Sequence, residues 1–356
     1  MKISLFRAGV VLAVVSLTAA LAVGQEYGRS VFVLASTNSV SGNDVVVFQL
    51  DTGTTPSLSL VDMLPTGGNG GASTNAGILQ LAYDFGAVAN YGSNSVTQLV
   101  RNENIISIGN TINLASGCVK PDSVALAKEH LYVVGTTCAE SHVWPWGKVD
   151  GTVSLTDTTA AQIAVGRSWA AVTLADPTST GSVLQLGLTS YGALSGASND
   201  ITLPANANMV PLGEAFWGDI LGFTPAHSPE SFAIMDKGGT VTPIAGPTPS
   251  YPTNAPCWVA KGRGNVWYTG NSPDKAISIF FSDGQGGVFY KSVPLPGAPT
   301  DITVSPDGKW LAVIYTASGE GYVAVYSIDA YGDLIYAATS PSVGLPTSIS
   351  GVAISQ

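Results

Sequence analysis

Four stretches of the chain decide its architecture: Lys120-Pro121-Asp122-Ser123-Val124-Ala125-Leu126, Val210-Pro211-Leu212-Gly213-Glu214-Ala215-Phe216, Ala255-Pro256-Cys257-Trp258-Val259-Ala260 and Ala298-Pro299-Thr300-Asp301-Ile302-Thr303-Val304. Each places Pro ahead of a short strand patterned apolar-small-apolar. Weaker copies begin near Ile78 and at Gly166. Anchors at 121, 166, 211, 256 and 299 lie 45, 45, 45 and 43 residues apart. A period of that length, filled with short strands and turn residues, is the signature of sheets repeated around an axis.

The unit holding Pro299 displays its strands most clearly. Asp301 to Ser305 meets the turn Pro306-Asp307-Gly308, and Trp310 to Tyr315 returns from it. Tyr322 to Ile328 and Leu334 to Ala338 complete four. Asp-Gly between apolar runs is a strong hairpin signal, because Gly accepts a positive φ without strain. Leu345-Pro346-Thr347-Ser348-Ile349 starts one more unit, yet the chain ends after a single strand. Ser30 to Ser36 reads as a second-position strand with no first strand before it, followed by Asp44 to Leu50 and Leu58 to Leu64. One strand from the tail and three from the head make a seventh sheet. The expected fold is all-β, a seven-bladed β-propeller closed by its C-terminal strand, which leaves no long open sheet edge. Four residues after the anchors, Ala82, Ala125, Ala170, Ala215, Ala260, Thr303 and Ser350 are all small, as convergence on an axis demands.

Residues 1–24 read differently. Lys2 and Arg7 precede an apolar run from Ala8 to Val23, and Ala22-Val23-Gly24 offers small residues before Gln25. That order predicts a secretory signal peptide, with residues 25–356 forming the propeller. At 16 residues the run is short for a membrane span, which needs about 20. The expected location is extracellular, or periplasmic in a bacterium, for a monomeric protein. Charged residues make up 11 % of the chain, and the formal charge is −10 with pI ≈ 4.6. Only 14 basic residues are scattered along it, which argues against nucleic acid as a partner. No Asn-x-Ser/Thr site occurs.

Cys118 precedes the first strand of its unit and Cys138 follows the second. Those strands are antiparallel neighbours, so both cysteines reach one end, and a Cys118–Cys138 disulfide is expected in an oxidising compartment. Cys257 is left over beside Trp258, as a buried thiol or a reactive one. The Gly-rich stretch Gly67-Gly68-Asn69-Gly70-Gly71 lies in a long link, Pro65 to Ala76, and reads as a loop, either disordered or shaped to cradle a ligand. His130 is expected in a turn, and His142 and His227 in loops of the face carrying the blade-to-blade links, exposed in each case. No Gly-x-Ser-x-Gly elbow and no His/Cys cluster with zinc spacing is present, and no cofactor is implied.

Glu214 stands where the other units place Leu81, Val124, Trp169, Val259, Ile302 and Ile349, and Lys261 replaces the class of Leu126, Phe216 and Val304. A carboxylate at such a position must be paired or carry a raised pKa. Two readings stay open: a general acid or base near the channel, or a buried tie, with a Glu214–Lys261 pair as one form of it. Two residues after the anchors come Gln80, Ser123, Ser168, Gly213, Trp258, Asp301 and Ser348, a largely neutral ring suited to a sugar-like or lactone ligand, or to water. Trp144, Trp146 and Trp217 would add a stacking wall, and Arg167, near a strand entrance, would contribute a cation.

Ala89-Asn90-Tyr91-Gly92-Ser93-Asn94-Ser95-Val96, Ser305-Pro306-Asp307-Gly308-Lys309 and Pro256-Cys257-Trp258-Val259-Ala260 resemble motifs of the lactonase-like seven-bladed propellers. That family contains 6-phosphogluconolactonase and fungal carboxymuconate-lactonising enzymes. The resemblance spans nearly all of the mature chain and implies a lactone or sugar acid as substrate class. It departs at the active site: the family's two first-strand histidines fall at Gln80 and Asp122. Three functions therefore follow as expectations. One is a binding or surface-interaction propeller for a small carbohydrate-like ligand. The second is a lactone hydrolase or cycloisomerase using Glu214 or Asp301, and the third a Ca²⁺-dependent lactonase.

Overall fold

The computed structural model describes residues 30–355, except 73–75, 116, 157–158, 177–180, 204–209, 227–229 and 246–255. The expected signal peptide and His227 lie outside the described residues. Seven four-stranded antiparallel sheets are arranged as a ring. Blade I takes Val352–Ile354 from the tail and Val31–Ser36, Asp44–Asp51 and Ser57–Pro65 from the head. The closing register pairs Val33 with Ile354, Leu34 with Ala353 and Ala35 with Val352. Blades II to VII begin on the innermost strands Leu79–Ala82, Pro121–Ala127, Ala160–Val165, Val210–Trp217, Pro256–Lys261 and Ala298–Val304.

The strand sequences follow from where each strand sits. Second strands such as His130–Gly135 and Val266–Asn271 are buried along their whole length. Neighbouring blades cover both their faces, so they read as continuous apolar runs. Outermost strands such as Lys148–Ser154 and Gly287–Pro294 alternate between half-buried and exposed, because only one face meets a neighbour. The core is accordingly a ring of inter-blade clusters. Val46, Phe48, Ala312, Ile314 and Val352 join blades I and VII, while Phe232, Trp267 and Phe280 join V and VI. Burying one such large side chain contributes roughly 1.5–3 kcal/mol.

Blade IV departs from the sequence expectation. Its innermost strand is Ala160–Val165, and Trp169–Leu174 is its second strand. The channel-facing alanines are Ala125 in blade III, Ala164 in blade IV and Ala215 in blade V, so the spacing is 39 and then 51, not 45 and 45. Hairpin registers shift blades I and II as well. Ala82 pairs with Phe85 at the closing turn, as Ala127 pairs with His130, which places Leu79 level with Val124. The small residues that face the channel at one level are therefore Ala125, Ala164, Ala215, Ala260, Thr303 and Ala353, with Gln80 completing the ring.

Residues 65–72 of the Gly-rich link form a strap tied down by hydrogen bonds. The Asn38 side chain accepts from the Gly71 and Ala72 N–H groups and donates to the Ala72 carbonyl. Thr66 Oγ1 lies 2.7 Å from the Asn43 carbonyl and 2.8 Å from Asn90 Oδ1, sharing its one proton between them. A Cβ at Gly70 would collide with the Asn38 backbone, so only glycine permits that approach. Asn90, first residue of the Asn-Tyr-Gly motif, also donates to Thr97 Oγ1. The motif is thus a tie between blades I and II.

Candidate functional site: the central channel

A cavity of about 300 Å³ runs down the axis, walled by the innermost strands. Gln80, Gln162, Glu214, Lys261, Asp301 and Thr303 give its wall polar side chains among the small and apolar ones. Asp301 stands where the chain enters blade VII. Its Oδ1 accepts from the Ile302 N–H (2.8 Å) and its Oδ2 from the Val352 N–H (3.0 Å). The second bond reaches across the closure, so Asp301 fastens the C-terminal strand to the last blade. Burial pushes its pKa up from 3.8 to about 7, and the backbone N–H groups around it, led by that of Val352, oppose the shift. Asp122, level with this region in blade III, is likewise pushed to about 7 by burial, with the nearby Lys120 charge pulling the other way.

Glu214 is 2 % exposed, and neither carboxylate oxygen has a hydrogen-bond partner. Burial raises its pKa well above 4.5; the Ala164 backbone N–H lies too loosely for a bond yet weakly favours the charged form. Its backbone is held by Gln162, whose Oε1 accepts from the Glu214 N–H (2.7 Å) and whose Nε2 donates to the Glu214 carbonyl (3.0 Å). The same kind of tie links blades III and IV, where Ser123 Oγ accepts from the Ile163 N–H (3.4 Å), and blades II and III, where Gln80 Oε1 accepts from the Leu126 N–H (3.2 Å). Gly213 is needed beside Glu214, because a Cβ there would strike the Trp258 backbone.

Lys261 lines the channel near the other end. Its Nζ donates to the Gly262 (2.7 Å) and Gly264 (2.6 Å) carbonyls and sits 5.1 Å from the ring centroids of both Trp217 and Trp267. Burial lowers its pKa from 10.5 to about 8. No ion pair joins it to Glu214 among the described residues, which corrects that expectation: the ammonium is satisfied by turn carbonyls. Arg167 lies exposed in the turn leaving the first strand of blade IV, at the end away from Asp301. Ser168 sits in the same turn, where its Oγ donates to Asp219. Both were displaced from their expected place by the blade IV frame.

Trp258 and Ser348 border a second cavity, of about 420 Å³, on the face where the chain enters each blade. Cys257 and Thr300 line it too, so adjacent residues Thr300 and Asp301 serve the two cavities. Burial pushes the Cys257 thiol up to about 12, which leaves it protonated at neutral pH. Cys118 and Cys138 form the expected disulfide, with Cα atoms 5.4 Å apart. Its sulfurs and Glu140 are the one cluster with metal-like proximity among the described residues, but oxidised sulfur is no thiolate ligand.

The histidines are not where loops were expected. His142 lies within the third strand of blade III, buried, with Nε2 2.9 Å from Glu140 Oε2. His130 starts the second strand, buried, with Nε2 2.8 Å from Asp150 Oδ2. Gln162 is the channel residue that sequence reasoning missed. The run Ala160-Ala161-Gln162-Ile163-Ala164-Val165 carried the signal, being apolar with one amide at the place Asp301 occupies in blade VII.

Among the described residues no helix is long and apolar enough to cross a membrane. No family model matches the sequence, and no curated protein matches it. Solved structures do. A protein from Lactobacillus plantarum superposes at TM-score 0.67 with 16 % identity, covering 91 % of this chain and 98 % of its own. A protein from Bacteroides uniformis assigned as a 6-phosphogluconolactonase gives 0.66 at 15 %, covering 91 % and 99 %. Virginiamycin B lyase from Staphylococcus aureus gives 0.54 at 13 %, covering 80 % and 94 %. At these identities the likeness speaks to fold alone. In fold, the chain is a seven-bladed β-propeller, similar to these solved structures.

Proposed function

We propose that this is an exported propeller that binds a small neutral ligand, a lactone or sugar-like molecule, at the channel mouth. One observation carries the reading: Glu214, a buried carboxyl without a partner, faces a polar-lined cavity. Burial favours its protonated form, which offers a donor and an acceptor, suits a hydroxyl or ring oxygen and disfavours an anion. Gln80 and Gln162 add amides in the same wall. Export is supported by the N-terminal pattern of basic, apolar and small residues and by the disulfide.

A second reading, lactone hydrolysis, is favoured by Asp301. A carboxyl with pKa about 7 is half ionised at neutral pH, where a general base works best. Titration calorimetry against aldonolactones and neutral monosaccharides, run beside a pH-stat hydrolysis assay with and without chelator, tests both. Binding without turnover, weakened by Glu214→Leu, which removes both the donor and the acceptor, is the expected result. Turnover that Asp301→Asn abolishes would establish the second reading instead. Neither binding nor turnover across the panel would overturn both.

A further inference from the structure

A third cavity, of about 460 Å³, opens on the face opposite the Cys257 vestibule, between the turns of blades II and III. Its floor is aromatic. Phe85 and Trp144 pack with ring centroids 4.0 Å apart, and Trp144 meets Trp146 edge-on at 5.2 Å and 89°. Trp144 is nonetheless 38 % exposed, and Tyr83 at the rim is 72 % exposed. Trp146 is the reverse: 4 % exposed, with an Nε1–H that has no acceptor. The rim adds polar groups in the Asp84, Lys128 and Glu129 side chains. Tyr83, Lys128, Glu129 and Trp146 all take positive φ, between 51° and 70°. Bulky side chains avoid that region, and these four residues hold it in three neighbouring turns, a backbone strain of the kind found at ligand clamps.

The chemistry of this cleft selects among ligands. An apolar guest would cover the rings but leave the Trp146 N–H unmet. An anion would meet the Glu129 carboxylate, while the Lys128 ammonium already donates to the Arg167 carbonyl. A neutral sugar ring answers every group: its C–H face stacks on an indole, one oxygen accepts from Trp146, and its hydroxyls reach the charged rim. We propose that the Trp144–Trp146 cleft is a carbohydrate-binding subsite for a neutral hexopyranose unit, separate from the axial channel. Trp144 forms the stacking platform and Trp146 the hydrogen-bond donor. The proposal does not depend on what the channel binds.

The test is calorimetry and tryptophan fluorescence on the full-length protein with neutral oligosaccharides as probes: β-1,4- and β-1,3-glucans, chitin fragments and α-1,4-glucans. At least one should bind saturably and shift the fluorescence. Trp144→Ala should weaken that binding at least tenfold and Trp146→Phe several-fold. Melting temperatures identify a misfolded Trp144→Ala protein. In that event Trp146→Phe, which keeps the aromatic packing and deletes only the N–H, decides. No binding by the unaltered protein, or binding that neither tryptophan variant weakens, would overturn the proposal.

Discussion

Glu214→Gln should stabilise the protein, and increasingly so as pH rises. The amide nearly matches the carboxyl in shape, and neither Glu214 oxygen accepts a hydrogen bond that the change would break. What the wild type carries is the cost of ionising a buried group. Its folded pKa lies above the ordinary value of 4.5, so the folded state binds the proton more tightly than the unfolded one. Below 4.5 both states are protonated and the cost vanishes. Above it, wild-type stability falls by about 1.4 kcal/mol per pH unit until the folded pKa is passed, then levels. A propeller of about 330 residues unfolds with an entropy near 0.7 kcal/mol per kelvin, so each unit is worth about 2 °C in Tm. Differential scanning calorimetry of both proteins from pH 4 to pH 8 reads this directly. The curves should meet near pH 4.5, diverge by about 2 °C per unit above it and run parallel once the folded pKa is passed. A Tm difference that stays flat would refute the reasoning, since Glu214 would then be ionised throughout or satisfied by a partner.

Three other changes probe the ring. Asp301→Asn places a donor against a backbone N–H that Asp301 now satisfies. It should cost about 1–3 kcal/mol at pH 4. Because the wild-type pKa of about 7 makes Asp301 a growing burden as pH rises from 3.8, that deficit should shrink by pH 8 in urea titrations; a widening deficit would contradict it. Gln162→Met leaves the Glu214 N–H and carbonyl without their side-chain partner. It should lower urea stability by about 2–3 kcal/mol, and a loss below about 0.5 would mean that water or a shift replaces both bonds. Reducing Cys118–Cys138, which closes a separation of 20 residues, should cost about 3 kcal/mol in the same assay.

The sevenfold repeat was legible because each blade must bury two faces, which forces continuous apolar strands separated by turn residues. Closure was legible because both ends carried incomplete units, and the disulfide because its half-cystines flank antiparallel neighbours. The frame of blade IV was not. A 45-residue period fits Gly166, but the true innermost strand, Ala160–Val165, has no Pro at its start and follows a shorter link. Nothing local distinguishes two adjacent apolar strands such as Ala160–Val165 and Trp169–Leu174. That slip hid Gln162 and promoted Ser168 and Arg167. His142, Trp144 and Trp146 were misplaced because the third strand of blade III runs through Val143, carrying the tryptophans to the opposite face. The Gly-rich strap looked loose because its order comes from the side chains of Asn38, Asn43 and Asn90, distant in sequence. Glu214 was legible as an oddity, since its six counterparts were read as apolar; its lack of a partner was not, because Lys261 lay one blade away in the repeat.

Closure and candidate site meet in one bond, from the Val352 N–H to Asp301 Oδ2. The most direct measurement is therefore native-state amide exchange over residues 349–355. Val352 and Ser355, whose N–H reaches the Phe32 carbonyl, should be protected as strongly as second-strand amides such as those of Val33 and Leu34. Exchange at the rate of an unstructured tail would mean that the ring is open, and that the channel lined by Glu214 and Asp301 does not exist in solution.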